Sequence, residues 1–146
     1  MSQSIICDRS FEFAARALSL SDKLYERGPS ARHISNQLMR SATSIGSNAE
    51  EAQEGQSKAD YIAKMSISRK EAREPTWWLR LAIKAGIVTA KEIEWEASEA
   101  FQLLLMIRAA IRTAQSSPRR NSFDARLLNP QPSALSPSPF AISPDT

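Results

Sequence analysis

Glycine residues divide the first part of the chain into four segments in which apolar side chains recur at helical spacing. Gly28, Gly55 and Gly86 stand between these segments. Within each segment an apolar residue returns every three or four positions, which places these side chains along one face of an α-helix. The strict alternation of apolar and polar residues that marks a strand is not found. The sequence therefore predicts an all-α fold built from four helices.

The four predicted helices follow one another through short connections, which makes consecutive helices antiparallel. We expect an up-down-up-down antiparallel four-helix bundle over residues 1–115. The helices are expected at about residues 9–27, 31–54, 57–85 and 89–114. Side-chain oxygens accept the free N–H groups of a first helical turn, and the expected N-caps are Asp8 or Ser10, Ser30, Ser57 and Thr89.

Two positions inside the expected helices hold poor helix formers. Gly46 lies in a run of small residues, 41–49, that stays helical only if a neighbouring backbone packs closely against it. A break near Gly46 is the competing interpretation. Pro75 lies in the third helix and removes one backbone hydrogen bond. It predicts a bend rather than an end, because the apolar pattern resumes in phase at Trp78 and Leu79.

The proline content changes sharply along the chain. Six of the eight prolines lie in the last 31 residues, where serine is also frequent. Residues 116–146 are therefore expected to form a disordered tail. No apolar run is long enough to span a membrane. Cys7 is the single cysteine, so a disulfide within the chain is impossible, and we expect a cytoplasmic protein.

The chain offers few residues suited to catalysis. His33 is the one histidine and Cys7 the one cysteine. The ligand spacing of a zinc site and the Glu-x-x-His pairs of a di-iron bundle are both absent. His33 is expected on the surface and Cys7 in a frayed start of the chain. The sequence thus predicts a protein that is not an enzyme and that has no cofactor or metal site.

Asn48 falls on the apolar stripe of the second helix. A buried amide has to be hydrogen-bonded, and one polar residue in an apolar seam can fix the register or the assembly state of a bundle. We therefore expect Asn48 to be a structural polar residue of the core. Ligand binding by Asn48 is the alternative.

Basic residues form a ladder along the third helix. Spacings of three and four place five residues on one face: Arg69, Arg73, Trp77, Arg80 and Lys84. Such a face can follow a phosphate backbone and stack a base, so these five residues are the candidate nucleic-acid site. The alternative is a solvated face whose cations pair with Glu74 and with acids of a neighbouring helix. The net charge of +3 permits nucleic-acid partners without requiring them.

The fourth helix has more apolar surface than one stripe. Leu103, Leu105 and Met106 widen it. A helix that is apolar on more than one side is buried on more than one side. This pattern indicates an oligomer.

Two sequence blocks together resemble a known bacterial family. The first is QLMRSATSIGSNAEEA at residues 37–52, and the second is YIAKMSISRKEARE at residues 61–74, followed by Trp77, Trp78 and Leu79. They are similar to four-helix bundle proteins encoded by intervening sequences of large-subunit ribosomal RNA genes, which are sometimes labelled ribosomal-protein-like. The accessory proteins of diversity-generating retroelements resemble the chain more distantly.

The resemblance covers about residues 10–114, and its most specific part is the pattern Arg-Ser-x-x-Ser-Ile-x-x-Asn-x-x-Glu at residues 40–51. Pro75 departs from the family pattern, and the tail has no counterpart. The resemblance implies a homopentameric ring of bundles. It also implies a basic surface for nucleic acid, because the retroelement accessory proteins bind a reverse transcriptase and nucleic acid in that way.

The expected function that follows is a non-enzymatic accessory factor that binds nucleic acid. Its expected partners are further copies of the chain, RNA or DNA, and a reverse transcriptase, but no membrane. The alternative is a protein-only assembly scaffold whose tail recruits partners.

Overall fold

Four α-helices make up residues 4–118, the part of the chain that the computed structural model describes. They are α1 (Ile5–Tyr25), α2 (Pro29–Gln53), α3 (Lys58–Lys84) and α4 (Glu94–Ser116). This part contains no strand, and the predicted all-α four-helix bundle is confirmed. The tail predicted from residue 116 onward lies outside the described residues from residue 119.

The helices pack in a square arrangement with antiparallel neighbours. α1 and α3 each pack against both α2 and α4, so α1 and α3 lie on one diagonal of the bundle. Along the contact between α1 and α2, Ser10 lies beside Gly46. Ser21, further along α1, meets Ser35, which comes earlier in α2. None of the four helices in residues 4–118 is both long and apolar enough to cross a membrane.

The first helix begins earlier than predicted. α1 starts at Ile5, and its cap is Ser4, whose Oγ accepts the N–H of Cys7 at 3.5 Å. The predicted caps Asp8 and Ser10 are wrong, because both lie inside the helix. Cys7 is therefore not part of a frayed start: its side chain is buried, and this burial raises the pKa of the thiol.

The start of the second helix also differs, whereas that of the third is as predicted. Gly28, with a φ of 111°, precedes Pro29 at the first helical position of α2, where the missing N–H of proline costs nothing. Ser30 thus lies within the first turn and does not cap it. At α3, the predicted Ser57 cap is confirmed, because its Oγ accepts the N–H of Asp60 at 3.1 Å.

The predicted cap of the fourth helix forms, but it closes a turn and not the helix. Thr89 Oγ1 accepts the N–H of Glu92 at 3.2 Å. Residues 90–93 are turns, and α4 begins only at Glu94. The start predicted at Thr89 was therefore too early.

The small residues of α2 let the backbone of α1 come close. α2 is continuous through Gly46, which confirms the prediction of an unbroken helix. A Cβ atom placed on Gly46 would lie 3.4 Å from the Cβ of Ser10 and 3.7 Å from its carbonyl carbon. Packing at this distance supplies the dispersion contacts that offset the poor helix propensity of glycine.

Buried serines join the closely packed helices through hydrogen bonds to backbone carbonyls. Ser35 Oγ donates to the carbonyl of Ser21 in α1 at 2.7 Å. Ser68 Oγ of α3 donates to the carbonyl of Ile45 in α2 at 2.8 Å. These short side chains satisfy their own polar groups without holding the backbones apart. They fix how α2 sits between its two neighbours.

Two substitutions of Gly46 should have opposite effects on stability. Gly46→Ala should raise the free energy of unfolding by up to ~1 kcal/mol, because alanine favours the helix and one methyl group fits at ordinary contact distance. Gly46→Leu should lower it by about 1–3 kcal/mol, because the larger side chain has to push α1 away. Urea unfolding followed by circular dichroism measures both. A leucine variant as stable as the alanine variant would show that α1 is not closely packed here.

Pro75 is buried inside α3 without ending the helix. α3 is continuous from Lys58 to Lys84, which confirms that proline does not stop it. The bend that Pro75 predicts stays a prediction. The proline has no N–H to donate to the carbonyl one turn earlier, so packing of its ring in the core has to offset that loss.

The additional apolar residues of α4 are absorbed by the core of the single chain. Leu103 and Met106 are fully buried, and Leu105 is half-buried. The width of this apolar surface is therefore explained by contacts with the chain's own helices. The expected oligomer stays a prediction, and Leu103 and Met106 do not support it.

Candidate nucleic-acid interface

The basic ladder of α3 lies on one exposed face of the helix. Residues spaced by three or four positions are neighbours on a helix surface. All five are exposed to solvent: Arg69, Arg73, Trp77, Arg80 and Lys84. The Trp77 side chain is 54% exposed, which is unusual for a large aromatic residue. The structure thus brings the five predicted site residues together on one surface.

The four cations of this ladder have no acidic partner within residues 4–118. Glu74, which the alternative interpretation assigned to them, is engaged elsewhere. Arg40 of α2 pairs with Glu71 at 3.1 Å and also with Glu74. A solvated face paired with Glu74 is therefore not what forms. The ladder cations remain available to an external anion.

Arg40 ties α2 to α3 and neutralises the acids beside the ladder. Its guanidinium group donates to Glu74 and Glu71, and the bond with Glu74 is the main reason that the pKa of Arg40 is raised. Trp78 Nε1 donates to the same Glu74 carboxylate at 3.4 Å. These bonds partly offset the repulsion that the two carboxylates would exert on a phosphate near Arg73.

An open groove between α2 and α3 continues the basic face. Its volume is about 380 Å³, and it is lined by Gln37, Arg40, Arg73, Glu74, Trp77 and Trp78. The ring centroids of Trp77 and Trp78 lie 4.8 Å apart with the rings nearly perpendicular. His33, which is exposed as predicted, meets Trp78 in a second edge-to-face contact at 5.5 Å. Of the residues that line this groove, the sequence pattern pointed to Trp77 and Arg73; the adjacent pair of tryptophans was the signal for the rest.

Two arginines of α4 add to the basic surface. Arg108 and Arg112 are exposed and form no ion pair within the described residues. Glu99 pairs with Arg9 of α1 at 2.7 Å, which marks the side of α4 that faces α1. Arg108 is nine residues further on, about two and a half helical turns, so it lies on the other flank of α4 from the one beside α1. Arg108 and Arg112 are four positions apart on the last turns of α4, a spacing that was visible in the sequence.

Asn48 lies beside the core and not in it, contrary to prediction. Its side chain is half-buried, and the fully buried residue of this turn is Ala49. The amide nitrogen donates to the Ser44 carbonyl at 2.8 Å and to Ser44 Oγ at 3.3 Å. Both bonds stay within α2, so they do not set the register between helices. A role of Asn48 in assembly stays a prediction.

The described part of the chain shows no arrangement suited to a metal ion. Within residues 4–118, no three side chains of His, Cys, Asp or Glu come close enough together to hold one. Cys7 is buried in the core with a raised pKa, which disfavours its reactive thiolate form. The basic face of α3 therefore remains the candidate site.

Comparison with known proteins agrees with the resemblance of the two sequence blocks. The profile of the family described as 23S rRNA-intervening sequence protein matches residues 2–109. A solved structure of a protein of unknown function from the S23 ribosomal protein family of Bacteroides thetaiotaomicron is 34% identical, with a TM-score of 0.69; the match covers 75% of this chain and 100% of that one. No curated protein matches the chain. Since the profile extends over most of the bundle, the chain belongs to the 23S rRNA-intervening sequence protein family.

Proposed function

We propose that this protein is a non-enzymatic accessory factor that binds nucleic acid through the basic face of α3. One observation carries the proposal: Arg69, Arg73, Arg80 and Lys84 are exposed on one helix face, and none has an acidic partner in residues 4–118. Cations that are not already paired can neutralise phosphates and release the counterions condensed on them. Arg108 of α4 extends the same surface.

The family supports RNA as the first ligand to test. Its description ties the members to intervening sequences of 23S ribosomal RNA. The more distant resemblance to retroelement accessory proteins makes a reverse transcriptase a second candidate partner. A cytoplasmic location is part of the proposal, because one buried cysteine suits a reducing compartment.

The proposal is tested by measuring the affinity of the full chain for RNA and for DNA across a range of salt concentrations. The logarithm of the binding constant should fall linearly with the logarithm of salt, with a slope of about 0.9 for each phosphate contacted on duplex DNA and about 0.7 on a single strand. Binding that is absent even at low salt, or that does not depend on salt, would exclude this function.

We also propose that the protein assembles with itself through α1. Large apolar residues recur every seven positions along the outer face of this helix: Phe11, Leu18 and Tyr25, with exposed fractions of 74%, 41% and 45%. Apolar residues that recur every seven positions can pack against the same row of residues on α1 of a second copy of the chain. The pentameric number rests on the family resemblance. This stripe favours the scaffold function as second candidate, should nucleic-acid binding fail.

Assembly through α1 is compatible with binding through α3. The two helices lie on one diagonal of the bundle, so their outer faces point to opposite sides. Copies joined at α1 would each keep the ladder accessible. Several weak basic faces in one particle bind a long nucleic acid far more tightly than one face does.

A further inference from the structure

We propose that the groove between α2 and α3 holds an unpaired nucleobase stacked on Trp77, so that the protein prefers single-stranded nucleic acid to duplex. This inference rests on the proposed function and adds the kind of nucleic acid that is bound. It follows from the placement of the exposed Trp77 between cations that form no ion pair within residues 4–118. The phosphate contacts of the ladder do not by themselves require an aromatic residue.

Trp77 is held in place and yet exposed. Its ring stands edge-to-face against Trp78, with centroids 4.8 Å apart. Trp78 is itself half-buried, packs against the hydrophobic core and donates to Glu74 at 3.4 Å. A ring that rests on an anchored neighbour loses little side-chain entropy when a base stacks on it. More than half of the Trp77 side chain is nevertheless open to solvent, which an apolar residue with a purely structural role would avoid.

The cations around Trp77 are placed to contact the phosphates of a stacked nucleotide. Arg73 lies one turn before Trp77 on α3, and Arg80 lies about one turn after it. Both are exposed and unpaired among the described residues. A strand that runs along α3 would therefore meet a positive charge on each side of the aromatic ring. Arg73 also lines the groove and so connects the phosphate track to the base site.

The floor of the groove can accept a base edge without repelling the backbone. The carboxylate of Glu74 is paired with Arg40, which reduces its repulsion of phosphate. The Gln37 side chain accepts a hydrogen bond from Arg40 Nε at 3.4 Å through its oxygen, so its amide N–H groups can donate to a bound base. Carboxylate, amide and guanidinium groups in one groove can pair with the polar edge of any base.

An exposed aromatic side chain on which a base can stack favours single-stranded over double-stranded nucleic acid. In a duplex the faces of the bases are covered by neighbouring base pairs, so a side chain can stack on them only after unstacking. In a single strand, a loop or a bulge the bases are free, and stacking on an aromatic side chain tolerates any sequence. The ladder alone would not discriminate in this way, because phosphates are present in both forms.

The test compares an oligo-uridine with an RNA duplex that carries the same number of phosphates. The full chain should bind the single strand more tightly. Trp77→Leu should weaken single-strand binding by about 5- to 100-fold and leave duplex binding within about twofold. Trp77→Phe, which keeps an aromatic face, should recover part of the loss. Tryptophan emission should be quenched by oligo-uridine, and Trp77→Phe should remove most of this quenching.

Ser19→Ala provides the control, since Ser19 is exposed on α1, outside the stripe of Phe11, Leu18 and Tyr25, and does not line the groove. It should change neither affinity. Equal affinity of the wild-type chain for both ligands, or equal losses for both in Trp77→Leu, would overturn the base-stacking inference and leave the proposed function intact. Absence of binding to either ligand at low salt would overturn both. Thermal melting of each variant by circular dichroism separates loss of the site from loss of the fold.

Discussion

Replacing Arg69, Arg73, Arg80 and Lys84 together by glutamine should remove most of the affinity for duplex DNA. Each phosphate contact contributes about 0.9 to the slope of log affinity against log salt, so four contacts contribute about 3.6. When the salt concentration falls tenfold from about 1 M, a slope of this size raises the binding constant by a factor of roughly 10³ to 10⁴. The fold should persist, because all four side chains are exposed and make no ion pair within residues 4–118.

A matched variant separates the position of the charges from their number. Four cations outside the ladder can be replaced by glutamine instead: Lys23 and Lys91, which form no ion pair within residues 4–118, and Arg32 and Lys64, which bond to the Tyr25 carbonyl and to Glu51. Both variants change the net charge from +3 to −1, since four positive charges are removed from each. The control should keep most of the slope and of the affinity. If the two variants lose affinity equally, the basic face of α3 is not the binding site and only the overall charge of the protein matters.

Placing two carboxylates on the outer face of α1 should dissociate the oligomer into monomers. Phe11 and Leu18 are 74% and 41% exposed in the single chain, so Phe11→Glu with Leu18→Glu leaves the core of the bundle intact. In an interface the same carboxylates would be buried without partners, which costs several kcal/mol for each ion. Light scattering coupled to size exclusion should show the wild-type chain as an oligomer at micromolar concentration and the variant as a monomer.

The control for this experiment adds the same charge at exposed positions outside the stripe. Ser19→Glu with Asn36→Glu, on α1 and α2, should leave the mass of the particle unchanged. A wild-type chain that is monomeric at micromolar concentration would exclude self-association. An oligomer that survives in the α1 variant would place the interface on another surface. Dissociation should also weaken binding to long RNA, because several basic faces would no longer act together.

Local sequence features were sufficient to predict the helices. The spacing of apolar residues and the cap at Ser57 depend on contacts within one or two turns, so they can be read from neighbouring residues. Gly46 and Pro75 are the two positions where local propensity argues against a helix, because both residues are poor helix formers. Both lie within continuous helices, since the apolar pattern on either side keeps its phase and packing offsets their poor propensity.

Helix starts were predicted less well, because several residues near each start could serve as caps. α1 begins at Ile5 and is capped by Ser4, not by Asp8 or Ser10, since the apolar residues that follow Ser4 pack in the core. A serine or aspartate shows that a cap can form there. Which of several candidates does cap depends on how far the helix can extend before its apolar face leaves the core.

Long-range pairing decided the character of the candidate site. The sequence alone showed that five residues share a face of α3, but not whether its cations were paired. Glu74 was a plausible partner for them because it lies on the same helix. The register between α2 and α3 instead brings Arg40 to Glu71 and Glu74, so the ladder cations have no acidic partner in the part of the chain that the structure describes. An ion pair between two helices depends on how they pack, which no local pattern reveals.

The same distinction explains Asn48 and the apolar residues of α4. Neighbouring residues on a helix point about 100° apart, so whether Asn48 or Ala49 enters the core depends on the rotation of α2 about its axis. That rotation is set by the contacts of α2 with α1 and α3, among them the hydrogen bond from Ser68. Met106 belongs to the widened apolar surface that indicated an oligomer, and it is buried in the core of its own chain. The sequence determined which residues share a face; only the packing of four helices decided which face is covered, because that depends on residues far apart along the chain.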